Sequence, residues 1–199
     1  SYYNSAGGVT VDLRYQGVFQ AVGGFSGTDW FDQFEDLYGS NRGGDLLIGS
    51  VDDNRILGFG GDDRIFGFDG NDELFGQQGN DLLAGGVGAD VLTGGAGADV
   101  FDFNHISEST SAARDTIRDF SAAAGDIIDL SGIDANSAVA GNQAFTFVGS
   151  AAFGSAGDLR FVTNGTDGFV IGDVDGNGSI DLNILLLGVT SMGLGDFVL

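Results

Sequence analysis

The chain has 199 residues and a net charge of −22, with seven arginines, no lysine, no cysteine and no proline. A nucleic-acid binder needs a basic face that this sequence cannot assemble, an anionic membrane would repel it unless a divalent cation bridged the two, and a disulfide framework is excluded. Yet 42% of the residues are hydrophobic and 17 are phenylalanine, which argues against a disordered acidic chain.

Residues 1–8 read SYYNSAGG, with neither a charged leader nor an apolar run, so no conventional signal peptide is expected there. No apolar run approaches the length of a membrane span, so membrane insertion is not expected. Val9, Val11 and Leu13 alternate with Thr10 and Asp12, which predicts a half-buried strand. Tyr15, Val18 and Phe19 predict a second extended piece, with turns at Gly23-Gly24 and Ser26-Gly27. Residues 29–38 are aromatic and acidic, and Phe34 and Leu37 lead into the glycine-rich stretch from residue 40. We read residues 1–39 as an N-terminal β cap on that stretch. Trp30 reads as a buried cap aromatic rather than a sugar-stacking platform.

Residues 40–102 divide without a gap into seven blocks of nine: SNRGGDLLI, GSVDDNRIL, GFGGDDRIF, GFDGNDELF, GQQGNDLLA, GGVGADVLT and GGAGADVFD. The sixth position holds Asp45, Asn54, Asp63, Asp72, Asp81, Asp90 and Asp99. The eighth holds Leu47, Ile56, Ile65, Leu74, Leu83, Leu92 and Phe101. The first six residues have turn composition, and the last three suit a very short strand whose middle side chain points inward. Turn, strand, turn, strand makes two blocks per coil of a flattened parallel β-roll. The apolar eighth residues stack into a thin core, and blocks two apart lie over one another.

That stacking puts Asp45, Asp63, Asp81 and Asp99 on one edge and Asn54, Asp72 and Asp90 on the other. Carboxylates repeating one strand spacing apart repel each other. A hard divalent cation between turns removes the repulsion, taking the carboxylates and the exposed turn carbonyls as its 6–8 oxygens. The candidate carbonyl donors are Gly58, Gly60, Gly61, Gly67, Gly70, Gly76, Gly79, Gly85, Gly88, Gly94 and Gly97, with Asp69 beside them. About five inter-turn sites are expected, three on the Asp45 edge and two on the other. Asn54 begins the second edge with one charge fewer, so its site is expected to be the weakest unless Asp52 or Asp53 compensates. The block formula G-G-x-G-x-D-x-U-x, with U large and apolar, resembles the calcium-binding nonapeptide of RTX proteins. The resemblance implies calcium as the cation and folding coupled to its binding.

Beyond the blocks, Asp102 to Ile106 continue a strand, and residues 107–114 read as a loop or short helix. Ile117 and Phe120 are expected to point inward. Residues 121–125 read as a turn, and Ile127, Ile128 and Leu130 as a strand. Residues 131–136 look like a turn leading into a short helix over 138–144. Short strands are expected at 145–148, 158–162, 169–173, 180–187 and 197–199. They predict a β-sandwich-like C-terminal cap over 103–199, in an all-β chain.

Several of these stretches carry a family resemblance. AARDTIRDF (112–120), DIIDLSGIDAN (126–136), GNQAFTFVGSAAF (141–153), GDLRF (157–161), GDVDGNGSIDLNILLLG (172–188) and GDFVL (195–199) resemble the C-terminal domain of serralysin-type secreted metalloproteases. GGVTVDL and FEDLYGS before the blocks resemble the lead-in of such proteins. The resemblance implies secretion by a type I exporter that reads a C-terminal signal, here Asp196, Phe197, Val198 and Leu199. It also implies one or two calcium ligations beyond the blocks, with Glu108, Asp115 and Asp126 as the matching residues. The His-Glu-x-x-His of the protease domain is missing, because His105 is the single histidine.

Other chemistry is weak. Asp173, Asp175, Asn177 and Gly178 match positions one, three, five and six of an EF-hand loop, but position twelve is Ile184, so a tight acidic hairpin turn is expected, with a weak extra calcium site as the alternative. His105 has no second metal-binding partner of its kind, no G-x-S-x-G elbow occurs, and a P-loop cannot exist without lysine. The leading reading is a non-catalytic, monomeric calcium-binding module. It is loose at cytosolic calcium, is exported by a bacterial type I system and folds outside the cell. A second reading is the tail of an extracellular metalloprotease or polysaccharide-modifying enzyme. A third is a calcium-dependent adhesive or surface role through Trp30 and Tyr38.

Overall fold

A nine-residue period with one apolar position per block turns the chain through half a coil at each repeat. In the computed structural model, residues 4, 5, 7–15, 19–22, 27–30 and 35–199 are described. Val18, Gly23, Gly24, Ser26, Phe34 and the side chains of Tyr15, Phe19 and Trp30 lie outside the described residues. The chain forms β1 (Thr10–Asp12), a 3-10 turn (Leu13–Tyr15), β2 (Phe19–Val22), β3 (Gly27–Trp30), β4 (Asp36–Tyr38) and β5 (Leu46–Ile48). The repeats continue as β6 (Arg55–Gly60), β7 (Arg64–Asp69), β8 (Glu73–Gln78), β9 (Leu82–Val87), β10 (Val91–Ala96) and β11 (Val100–Asp102). After them come β12 (Thr116–Ile117), β13 (Ile127–Asp129), β14 (Thr146–Phe147), β15 (Asp158–Thr163), β16 (Gly168–Asp173) and β17 (Leu182–Leu186). A 3-10 turn (Leu194–Asp196) and β18 (Phe197–Val198) complete the described elements.

Two sheets face each other across the core. One has the order β1-β5-β7-β9-β11-β13-β18; the other has β14-β15-β16-β17-β12-β10-β8-β6-β4. Successive coils pair in parallel with an 18-residue step, as in Ile65 beside Leu83 and Leu74 beside Leu92. The block residues Leu47, Ile56, Ile65, Leu74, Leu83, Leu92 and Phe101 are all fully buried. Each contributes on the order of 1.5–3 kcal/mol by burial. The core is only one side chain deep on each face of each coil. The pre-repeat strands join this stack, since β1 pairs with β5 and β4 with β6, burying Val9, Val11, Leu13 and Leu37.

Two local expectations are corrected. The strands β6 to β10 are six residues long, not three. Pairing runs on past the apolar residue into the glycines, as at Phe59 beside Gln77 and Gly60 beside Gln78. Small residues there let neighbouring coils approach closely. No helix forms over 138–144; the segment is a series of turns and bends. Asn136 explains the start, because its side-chain oxygen accepts the Ala138 N–H and draws the backbone into a turn.

The two sheets run on beyond the repeats. β12 continues one of them and then pairs with β17, where the meander β15-β16-β17 turns the sheet antiparallel. β13 and β18 continue the other. Ile117, Phe120, Ile128 and Leu130 are buried, and the Phe101 and Phe120 rings lie 6.2 Å apart. On the outer surface Glu73 pairs with Arg55 at 3.2 Å and Arg118 at 3.0 Å, spanning β6, β8 and the turn after β12. All three side chains are exposed, so Glu73→Gln is expected to cost at most about 1 kcal/mol. Its thermal midpoint with calcium should fall by no more than about 4 °C and recover toward wild type in high salt.

Candidate metal centre

The sixth-position carboxylates form two hydrogen-bonded ladders. On one edge the Asp45 N–H donates to Asp63 Oδ1 at 2.8 Å, Asp63 to Asp81 at 2.8 Å and Asp81 to Asp99 at 2.9 Å. On the other, Asn54 donates to Asp72 at 2.7 Å and Asp72 to Asp90 at 2.7 Å. Both ladders run into the C-terminal region: Asp90 donates to Asp115 Oδ1 at 2.8 Å and Asp99 to Asp126 Oδ1 at 3.1 Å. Asp115 and Asp126 therefore stand on the two edges as further rungs.

One oxygen of each rung is thus committed to the backbone. The other is the chemically telling one. Oδ2 of Asp63, Asp72, Asp81, Asp90, Asp99 and Asp115 is buried and has no hydrogen-bond partner. Leaving a buried carboxylate oxygen unpaired is expensive, and the usual remedies are a proton or a cation. Burial pushes the Asp63, Asp72 and Asp90 carboxyls up to about 7, Asp81 and Asp99 to about 6, and Asp115 to about 9. The ladder N–H bonds act in the opposite direction but do not outweigh burial.

The first glycine of each block explains how that oxygen is accommodated. A Cβ on Gly58 would overlap Asp63 Oδ2 and meet the Gly76 carbonyl oxygen. On Gly67 it would meet Asp72 Oδ2 and the Gly85 carbonyl, and on Gly76 it would meet Asp81 Oδ2 and the Gly94 carbonyl. Gly85 and Gly94 stand in the same relation to Asp90 and Asp99. Anionic and carbonyl oxygens from successive coils therefore converge where a side chain would have been. That donor set is hard, oxygen-only and charged, which fits calcium and suits no soft metal.

The remaining glycines act differently. Added Cβ atoms on Gly79, Gly88 and Gly97 would overlap the carbonyls of Gly61, Gly70 and Gly79 in the coil below. Gly61, Gly70, Gly79 and Gly97 also have positive φ, and Gly60 faces the Asn41 carbonyl. Asp69 is exposed on β7, and with Phe66, Phe68, Asn104 and Glu108 it lines a cavity of about 210 Å³. Glu108 accepts the Asn104 N–H at 2.8 Å, and burial raises its pKa. Its charge also acts on Asp90 and Asp115, which places it near the end of the second ladder.

Two groups of hydrogen-bonding side chains fall outside the sequence-based ligand set, in which Asp53 enters only as a possible compensation at Asn54. Asp119 accepts the N–H groups of Gly94 and Gly95 at 3.0 and 2.9 Å, tying the region after the repeats to the last block. The fifth block position forms an outer ladder of opposite polarity. Asp53 accepts the Asn71 N–H and Asn71 the Ala89 N–H, while Asp62 accepts from Asn80 and Asn80 from Ala98. The run Asp53, Asp62, Asn71, Asn80 in one block position was the available signal.

The 173–181 loop brings the carboxylates of Asp173, Asp175 and Asp181 together. Its own backbone satisfies them: Asp173 accepts from Gly176 and Gly178, Asp175 from Asn177, and Asp181 from Val174. It is a self-bonded acidic hairpin turn. His105 is exposed and hydrogen-bonded to Ser107. At the chain's last described residues, Asp196 accepts the Gly193 N–H and the buried Phe197 ring packs 5.2 Å from Phe147.

The sequence model of the peptidase M10 serralysin C-terminal family matches residues 32–199. Among solved structures, the AlgE6R2 subunit of the Azotobacter vinelandii mannuronan C5-epimerase is similar at 28% identity and a TM-score of 0.55, over 76% of this chain and 91% of that one. The AlgE6R3 subunit of the same enzyme is 27% identical with a TM-score of 0.46, over 82% and 79% of the two chains. No curated protein matches the sequence.

Proposed function

This chain belongs to the peptidase M10 serralysin C-terminal family and is a calcium-binding RTX β-roll module, and from that premise we propose that calcium is what folds it. The reading rests on one observation: six buried carboxylate oxygens in two ladders without a hydrogen-bond partner. Asp63, Asp72, Asp81, Asp90, Asp99 and Asp115 would hold the ions, with the first-position glycine carbonyls beside them. Bound calcium supplies the counter-charge that a chain of net charge −22 lacks. Millimolar calcium outside a cell then favours the folded state, while cytosolic calcium leaves the chain loose.

The export reading depends on the same coupling. Phe197 is buried and β18 is paired with β13, so the Phe197 side chain and the paired backbone of the segment Asp196, Phe197, Val198 and Leu199 are open to an exporter only in the unfolded chain. A type I exporter would take the calcium-free chain, and the module would fold as a monomer outside. Circular dichroism in EGTA and in millimolar calcium tests the coupling. The expected result is a β-rich spectrum and a cooperative melt only with calcium. Indistinguishable β-rich spectra and equal melting temperatures in both conditions would sink it.

A second reading is favoured by the similar AlgE6R2 subunit, which belongs to an epimerase. Here the module would serve as the non-catalytic tail of an extracellular enzyme. Coding sequence for a His-Glu-x-x-His or carbohydrate-active domain immediately upstream would support this reading; its absence would rule it out.

A further inference from the structure

We infer that the calcium ladders are finite because the protein plugs three of their four end rungs with its own backbone N–H groups, leaving six sites and no more on the two ladders among the described residues. The inference rests on the calcium reading above and concerns which turns are open to the ion. The five interior rungs, Asp63, Asp72, Asp81, Asp90 and Asp99, and one end rung, Asp115, have an unpartnered Oδ2. The other three end rungs do not. Asp45 Oδ2 accepts the Ser40 N–H at 2.6 Å, Asp126 Oδ2 the Ser121 N–H at 2.8 Å, and Asn54 Oδ1 the Ser50 N–H at 2.6 Å. In each case a donor stands where the interior rungs present a bare oxygen.

Strand length separates open from plugged turns at every rung but Asp115, which follows the three-residue β11. Asp63, Asp72, Asp81, Asp90 and Asp99 each come after a six-residue strand, β6 to β10. That strand carries the backbone past the first two block positions before it turns, so those N–H groups are held away from the carboxylate. Asp45, Asn54 and Asp126 come after the short strands β4, β5 and β12, and the bends that follow begin at residues 41, 51 and 118. Asp115 is reached through the longer 103–114 loop, which brings no donor to its Oδ2.

The backbone records the same division. The second block position has positive φ at Phe59 (76°), Phe68 (82°), Gln77 (79°), Gly86 (99°) and Gly95 (106°). These are the five turns that precede Asp63, Asp72, Asp81, Asp90 and Asp99. Asn41 and Ser50, at the same position of the two plugged blocks, are not in that conformation. Three of the five open turns adopt it without glycine, a conformation unfavourable for an L side chain. Strain of this kind persists where the surroundings impose it, and here it accompanies every open repeat turn.

Asn54 then has a different meaning from a lost charge. Its Oδ1 lies on the Gly49 side, beside the Gly67 carbonyl, and is already filled by Ser50. Asn54→Asp would place its new oxygen where Nδ2 stands, on the side that takes the ladder hydrogen bond in other rungs. The charge alone should not create a site. Restoring the open turn as well, with Ser50→Gly, Asp52→Gly and Asn54→Asp together, should.

Calcium counting by isothermal titration and native mass spectrometry, with circular dichroism confirming folding, tests this with calcium alone as the probe. The expected counts are six for the wild type, six for Asn54→Asp and one more for the triple variant. An extra ion in Asn54→Asp, a folded triple variant with no extra ion, or a wild-type count other than six overturns the plugging. A chain that binds no calcium overturns this inference and the calcium reading together, whereas a wrong count leaves the calcium reading intact.

Discussion

In EGTA, the β-sheet signal of this chain is expected to rise as the pH is lowered from about 8 to about 5. The cause is the set of buried carboxyls. Asp63, Asp72 and Asp90 are raised to about 7, and Asp81 and Asp99 to about 6, from an ordinary 3.8. A carboxyl whose folded pKa lies above its unfolded value binds more protons when folded. Its contribution to folding is fully present below the unfolded value and is lost as the pH rises through the folded value. The metal-free roll is therefore favoured in acid, loses that support progressively as the pH rises above about 4, and has lost nearly all of it from these five groups by about pH 7. Asp115, raised to about 9, acts in the same sense over a higher range. Asp158 opposes them, because the Gly154 and Ser155 N–H groups lower its pKa, but it acts only in stronger acid.

Calcium should take the place of those protons. With saturating calcium the signal should be flat from pH 8 to 6, and binding should release protons in unbuffered titrations. General charge repulsion in a chain of −22 would also ease in acid, so a salt control is needed. Salt at 1 M screens exposed charges over about 3 Å but reaches buried oxygens poorly. High salt at pH 8 should therefore fail to replace acid. A metal-free signal that is flat or falls on acidification would contradict the role given to the buried carboxyls.

The period of nine made the roll legible from the sequence. It located every large core residue of the repeats, though not the buried Ala84, because a buried position recurring in each block leaves no second solution for the register. It also set the 18-residue step of the Asp ladders. What it concealed was the backbone between the apolar residues. Glycine-rich turns allow several conformations, and nothing in GSVDDN against GFGGDD states that the Ser50 N–H reaches Asn54 while Phe59 takes a positive φ. The C-terminal strands are legible by alternation, but the composition of 138–144 suggests a helix where the structure has turns and bends, because Asn136 competes for the backbone. Asp119 was invisible for a different reason: its partners, Gly94 and Gly95, lie 25 and 24 residues away, outside any repeat spacing.

Asp90→Ala should impair calcium-induced folding far more than Asn54→Ala. Asp90 is fully buried, accepts the Asp72 N–H, donates to Asp115 and presents an unpartnered oxygen beside Gly85. Alanine removes a charged acceptor worth about 1.5–3 kcal/mol and strands the Asp72 N–H. That loss alone corresponds to about 4–8 °C in the thermal midpoint of the calcium form. It also deletes one ion's carboxylate from the middle of its edge, which should raise the calcium needed for half-folding several-fold. Asn54→Ala loses one neutral bond from Ser50, about 0.5–1.5 kcal/mol, and at the same time removes a buried amide nitrogen that has no partner. These changes oppose each other and leave the calcium requirement nearly unchanged. The contrast has a direction along the chain. Asp90 is the rung that passes the ladder to Asp115 and β12, where one sheet runs on through β17 into its antiparallel continuation. Asn54 begins its edge and reaches that junction only by way of Asp72 and Asp90. Ordering that starts at the C-terminal coils makes Asp90 part of its first step and Asn54 part of its last. Calcium titrations of the two variants, monitored by circular dichroism, give the ranking, and a larger shift for Asn54→Ala would reverse the assigned direction of folding.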